Sequence, residues 1–203
     1  MIDKYLRPVK EKILYPLAKI ISRYFSPNQI TIVAFSFGLI SCFMIILNHL
    51  YIALIFWLLN RIIDGLDGTV ARISNRQTDW GGYLDIMLDF IIYALIPIAL
   101  AFCVNNGAVI FITLSVMLGV FYINSASWMY LSAILEKKDI QTNKKEMTSV
   151  NMPTGLIEGS ETIVLYTLFF FFPGKLHLLF ISVSLLTAIG IVQRMTWAYK
   201  NLK

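Results

Sequence analysis

Charge is what this chain has least of. Asp, Glu, Lys and Arg together make up 14% of its 203 residues, against about 25% in an ordinary soluble domain, and apolar residues reach 58% against about 45–50%. That balance excludes a soluble globular domain and reads as an integral membrane protein. Cysteine is scarce too. Cys42 and Cys103 each fall inside an apolar run, which argues against a disulfide framework or a zinc site and leaves two small buried thiols. The two histidines, His49 and His177, lie near the ends of apolar runs and suggest no site. No short apolar segment with a small-residue cleavage site is visible at the start, so the N-terminal residues are expected to stay on the mature protein. A continuous basic patch is also lacking. The net charge of +5 is distributed between apolar runs, which argues against nucleic-acid binding and reads as a signal of membrane topology.

What is present is a series of apolar runs. Residues 1–25 carry Lys4, Arg7, Lys10, Lys12, Lys19 and Arg23 opposite a stripe that includes Ile2, Leu6, Val9, Ile13, Leu17 and Ile20, the pattern of an amphipathic helix lying in the membrane interface. Pro8 and Pro16 divide or kink it. Ser26-Pro27-Asn28-Gln29 reads as a helix start, with Ser as N-cap, Pro at the first helical position and Gln completing a capping box. Six spans are then expected, at about 30–47, 51–71, 81–104, 108–135, 155–172 and 176–198, each near the roughly 20 residues a helix needs to cross. The expected fold is therefore an all-α integral membrane protein: a 1–25 interfacial segment and a 26–203 domain of six transmembrane helices. With the N-terminus in the cytoplasm, the inner segments collect the N-terminal basic residues, Arg72, Arg76, the lysines at 137, 138, 144 and 145, Arg194, Lys200 and Lys203. The outer turns collect only Lys175. The positive-inside rule then places both termini, and the 72–80 turn, on the cytoplasmic side.

The second and third spans contain an unusual stretch, DGLDGTVARISNRQTDWGGYLDIMLDF, from Asp64 to Phe90. Its spacing is D-x2-D-G-x2-A-R-x8-G-x3-D-x3-D over Asp64, Asp67, Gly68, Ala71, Arg72, Gly81, Asp85 and Asp89. A single Asp at the centre of a span costs roughly 2.5–3.5 kcal/mol on insertion scales, so four together need a counter-charge. Asp64 and Asp67 are three apart and Asp85 and Asp89 four apart, so each pair leaves one face of its helix. A short turn between the helices makes them antiparallel neighbours and lets all four carboxylates converge. Hard oxygen donors in that number suit Mg²⁺, Mn²⁺ or Ca²⁺, and on two rigid helices they can hold two ions as a clamp for phosphoryl oxygens. Gly68, Ala71 and Gly81 remove bulk, either for helix packing or to admit a ligand against the backbone. Arg72 at the membrane edge suits a phosphate or the inner boundary equally. Arg61, three residues before Asp64, reads as a structural ion-pair partner.

At every one of these positions the stretch resembles the signature of the CDP-alcohol phosphotransferase family of membrane enzymes. The Pro27-Asn28-x-x-Thr31 start of the first span and the six-span plan are similar as well. The resemblance implies transfer of a substituted phosphoryl group from a CDP-linked donor to an acceptor hydroxyl with release of CMP, usually by a homodimer. It implies that Asp64, Asp67 and Asp85 are the main ligands of Mg²⁺ or Mn²⁺ in a two-metal site. Asp89 would touch the second metal and serve as general base. Asn28, Thr31, Gly68, Ala71, Arg72 and Gly81 would border the CDP moiety. The setting suggests a lipid donor, CDP-diacylglycerol, in a bacterial inner membrane.

The acceptor stays open among serine, glycerol phosphate, inositol phosphate and others. A phosphorylated acceptor would want Arg194 or the 136–154 lysines near the site, whereas Glu158 and Glu161, three apart at the start of the fifth span, would repel a phosphate and suit an amine or hydroxyl. A divalent-cation transporter using the same aspartates is the rival from another class, and the D-G-x2-A-R element argues against it. An intramembrane prenyltransferase would space its aspartates differently.

Overall fold

The structure is a computed structural model that describes residues 13–104, 107–141 and 159–202. Helix α1 (13–21) is followed by α2 (Pro27–Ile46), α3 (Leu50–Ile73), α4 (Asp79–Val104), α5 (Ala108–Gln141) and α6 (Gly159–Phe171), then a short 3-10 turn at Pro173–Lys175 and α7 (Leu176–Asn201). No strand occurs among the described residues. Several expectations fall outside them: residues 1–12 with Pro8, the Asn105-Asn106 turn, the polar stretch 142–154 and Glu158.

Helix starts follow local chemistry. The Ser26 hydroxyl accepts from the Gln29 backbone N–H at 3.4 Å while the Gln29 side chain accepts from the Ser26 N–H at 2.8 Å, with Pro27 at the first helical position. Asn48 and Asn75 adopt left-handed backbone, φ 61° and 52°, in the tight turns that bring α3 back against α2 and join α3 to α4. Asn tolerates that region better than most residues. Thr78 starts α4, accepting the Gly81 N–H on its hydroxyl at 3.0 Å.

Four segments are long and apolar enough to cross a membrane: α2, α4, α5 over Ala108–Lys137, and α7 with its preceding turn. Six apolar runs were expected, and the difference has a specific cause. Helix α3 has 24 residues, but Arg61, Asp64, Asp67 and Arg72 lower its apolar content, and α6 is described over only 13. The outward side of α3 is nonetheless apolar, with Ile52, Ile55, Leu58 and Ile62 exposed while Asn60, Arg61 and Asp67 are buried. Arg61 and Asp67 of this helix face protein, Asp64 is partly accessible, and Arg72 is exposed at its end.

The packing is organised by α2. Its buried stripe, Thr31, Ala34, Gly38, Ser41 and Ile45, is mostly small, as close helix approach in a membrane requires. It lies closely against both α3 and α4, with Ser41 Oγ donating to Ala53 O at 2.8 Å and Asn60 Nδ2 donating to Ala34 O at 2.7 Å. A methyl group at Gly38 would lie 2.6 Å from Ile92 Cδ1. The two helices expected to be antiparallel neighbours, α3 and α4, do not pack backbone to backbone. Those two helices meet mainly through long side chains, with α2 seated against both, and a cleft is left between the three. On the far side α5 pairs with α7, and α6 closes the bundle through Tyr166 and Phe169. Leu14, Ala18 and Ile21 of α1 pack with Ile30, Leu66 and Val70, while Ile13, Leu17 and Ile20 of the same helix stay exposed.

Gly38→Ala should therefore lower the melting temperature in detergent, an overpacking cost of about 1–3 kcal/mol. The Gly38→Ala/Ile92→Ala double variant should lose less than the sum of the single losses. Strictly additive losses in a thermal melt would contradict the contact.

Candidate active site

Three carboxylates converge at one end of the cleft. Asp64 and Asp67 come from neighbouring turns of α3 and Asp85 from the second turn of α4, and each places one oxygen within 4.8 Å of the others. Asp67 is buried; Asp64 and Asp85 are partly accessible. Two carboxylates at this separation repel by about 3 kcal/mol at an effective dielectric constant near 20, so the group is arranged for cations. A hard, all-oxygen donor set of this kind fits Mg²⁺ or Mn²⁺.

The surroundings fix these carboxylates. Thr31 Oγ1 donates to Asp67 Oδ2 at 2.6 Å, tying the buried carboxylate to the first turn of α2, and the Gly68 N–H donates to Asp67 Oδ1. Thr31, expected beside the CDP moiety, thus also orients a carboxylate, the kind of outer contact that holds a metal ligand in place. Asn28 approaches Gly81 so closely that a Cβ there would lie 2.9 Å from Asn28 Oδ1. A side chain at 81 would therefore need the Asn28 amide to shift. At Gly68 an added Cβ would meet only Arg72 Nη1, at an ordinary 3.5 Å, so packing does not account for that glycine. Arg72 reaches Thr69 Oγ1 at 3.4 Å on the exposed end of α3, beside the partly accessible Ala71.

Asp89 stands apart from the other three. It lies one helical turn beyond Asp85, and its Oδ1 accepts from Arg61 Nη2 at 2.7 Å. Arg61 is 5% exposed. Its Nε donates to Asn60 Oδ1 at 2.7 Å, its Nη1 donates to the Tyr93 hydroxyl at 3.1 Å and lies 3.8 Å from Asp64 Oδ2, and its guanidinium sits over the rings of Trp57 and Tyr93 at 5.0 and 4.8 Å. The expected ion-pair partner is present, and it engages the fourth aspartate more closely than the first. The cleft is lined by Thr31, Asn60, Asp64, Asp85 and Asp89 on its polar side. A larger open groove along α7, from Leu185 to Lys200, shares no residue with it.

The residues suggested for an acceptor are not in the converging group. Arg194 is buried against α5, where its Nη1 donates to Asn124 O at 3.1 Å and to Asn124 Oδ1 at 3.0 Å. Glu161 accepts from Ser160 Oγ at 3.1 Å in the first turn of α6, and Glu158 lies outside the described residues. Sequence reasoning missed Asn60, Trp57 and Tyr93 as parts of this site. A lone Asn next to an Arg in the middle of an apolar run was the available signal.

A family model described as CDP-alcohol phosphatidyltransferase matches residues 24–197. The chain belongs to that family. As a member, it is 32% identical over 175 residues to the inner membrane protein YnjF of Escherichia coli K12, covering 86% of this chain and 84% of that one. It is 23% identical to the bifunctional IPC transferase and DIPP synthase of Thermococcus kodakarensis, spanning 97% of its own length but only 44% of that protein. Among solved structures, phosphatidylinositol phosphate synthase of Mycobacterium tuberculosis with CDP-DAG bound superposes with a TM-score of 0.69 at 20% identity, covering 91% of this chain and 92% of the other. The same synthase in complex with manganese and citrate gives 0.67 at 18%. At that identity the superpositions establish the shared fold. Family membership makes the protein a membrane transferase and gives no support to the transporter reading.

Asp67→Asn should lower Mn²⁺ affinity at least about tenfold, the scale on which metal-site contacts act, as measured by titration of purified protein. Asp79→Asn, exposed at the start of α4 and outside the group, should leave it unchanged. Equal affinities of the Asp67 variant and wild type would exclude this donor set.

Proposed function

We propose that the protein transfers a phosphatidyl group from CDP-diacylglycerol to the hydroxyl of an acceptor alcohol, releasing CMP, as a step of phospholipid synthesis. The observation that carries the reading is the group of three carboxylates with a fourth, separately held aspartate one turn away along the same cleft. Asp64, Asp67 and Asp85 would hold Mg²⁺ or Mn²⁺, with Asp89 touching a second ion. Bound divalent cations supply positive charge against the donor pyrophosphate. Asn28, Thr31, Gly68, Ala71, Arg72 and Gly81 border the CDP moiety, with Gly68 leaving its backbone open to a ligand. Asp89 accepts the proton of the acceptor hydroxyl as that oxygen bonds to the β-phosphorus. The phosphoanhydride bond breaks and the bridging oxygen leaves on CMP.

In the same reading α2 to α7 make six spans, with α3 admitted because Arg61 and Asp67 are buried, Arg72 sits at the helix end and its lipid-facing side is apolar. Residues 1–25 lie in the membrane interface, with Ile13, Leu17 and Ile20 available to lipid. Both termini and the site face the cytoplasm of a bacterial inner membrane, and the protein works as a homodimer. The acceptor is the alcohol that an assay selects. Arg194, engaged by Asn124, is better placed to brace α7 on α5 than to bind a phosphate.

Purified protein in detergent with CDP-diacylglycerol and Mg²⁺ or Mn²⁺ should release CMP in the presence of one acceptor among serine, glycerol 3-phosphate, glycerol and inositol phosphate. Asp89→Asn should reduce that release by about 10²–10⁴-fold, the usual contribution of a general base. Absence of CMP with every acceptor, from protein that still binds Mn²⁺, would reject this donor and reaction.

A further inference from the structure

The family signature assigns no role to Arg61, yet no other cation among the described residues is so fully engaged. All three guanidinium nitrogens have partners: Nε on Asn60, Nη1 on Tyr93, Nη2 on Asp89. The two rings of Trp57 and Tyr93 flank it. Its partners are themselves anchored, Asn60 on Ala34 O of α2, Trp57 Nε1 on Thr167 Oγ1 and the Tyr93 carbonyl by the Tyr166 hydroxyl, both of α6. A guanidinium so clamped by three helices has one orientation. It meets only Oδ1 of Asp89; Oδ2 accepts no hydrogen bond among the described residues, and Asp89 lines the cleft.

We infer that Arg61 is the positioning residue of the base: by holding Asp89 through Oδ1, it presents Oδ2 to the acceptor hydroxyl. The inference rests on the transferase reading above. It assigns two functions to four similar aspartates by what each is bonded to. Asp64, Asp67 and Asp85 converge on one another; Asp89 accepts the hydrogen bond of Arg61, which lies 3.8 Å from Asp64 as well. Lysine would not replace Arg61, because a single ammonium cannot reach Asn60, Tyr93 and Asp89 in one plane.

The test is a double-mutant cycle on full-length protein, reading kcat and KM for CDP-diacylglycerol together with Mn²⁺ affinity. Arg61→Lys should lower kcat by about tenfold or more, with KM and Mn²⁺ affinity within about threefold of wild type. In an Asp89→Asn background the same substitution should change kcat by less than about twofold, since a residue acting through the base has nothing left to act on. Tyr93→Phe keeps the ring and removes one bond to the guanidinium. It should show the same dependence on Asp89 at a smaller amplitude, and it decides the matter alone where Arg61→Lys yields no folded protein. Losses that multiply across the cycle, or an Arg61→Lys variant that loses Mn²⁺ instead of turnover, would overturn the inference and leave the transferase reading standing. A wild type that releases no CMP would sink both.

Discussion

Carboxylates inside an apolar bundle repel one another and resist leaving water, and the helices here are arranged around that constraint. Asp64, Asp67, Asp85 and Asp89 occupy adjacent turns of two helices, and one buried arginine is the protein's own compensation. Arg61 offsets the charge of Asp64 and Asp89 at the inner end of the cluster. Without Arg61, the partly accessible Asp89 would lose its guanidinium partner.

Holding the arginine takes most of the bundle. Helix α2 supplies the backbone carbonyl that orients Asn60, and it can approach closely because Ala34, Gly38 and Ser41 are small. Helix α6 supplies Thr167 and Tyr166, which fix the two aromatic residues around the guanidinium. The aromatic cluster of Trp57, Tyr93, Tyr166, Phe169 and Phe180 is core packing by area, and through Trp57 and Tyr93 it is also the wall of the site. Stability and positioning are served by the same side chains, and the α5–α7 pair, with Arg194 on Asn124, braces the far side of the bundle.

Much of this was legible beforehand, for identifiable reasons. The capping box at Ser26 and Gln29 is local chemistry and appears as read. The four aspartates at three- and four-residue spacing had to share helix faces, and three of them converge. Long-range placement was not legible. Nothing local says that α2 would seat itself against both α3 and α4, because that depends on Gly38 meeting Ile92, residues 54 positions apart in the chain. Thr31 was noticed for its place in a motif, but its hydrogen bond to Asp67 spans 36 residues. Arg194 was one candidate for a phosphorylated acceptor, and the sequence does not show Asn124 opposite it. The count of spans is ambiguous for a physical reason as well: α3 spends its polar residues inward, which any average over the helix registers as loss of apolar character.

The central claim is that Asp64, Asp67 and Asp85 form the cation site while Arg61 holds Asp89 at its border. Anomalous diffraction at the manganese edge, from crystals of the protein grown with Mn²⁺, tests it directly. The account predicts anomalous density among the carboxylates of Asp64, Asp67 and Asp85, with the Arg61–Asp89 pair intact beside it. Density centred between Asp89 and Arg61's vacated position, or none near α3 and α4, would contradict it.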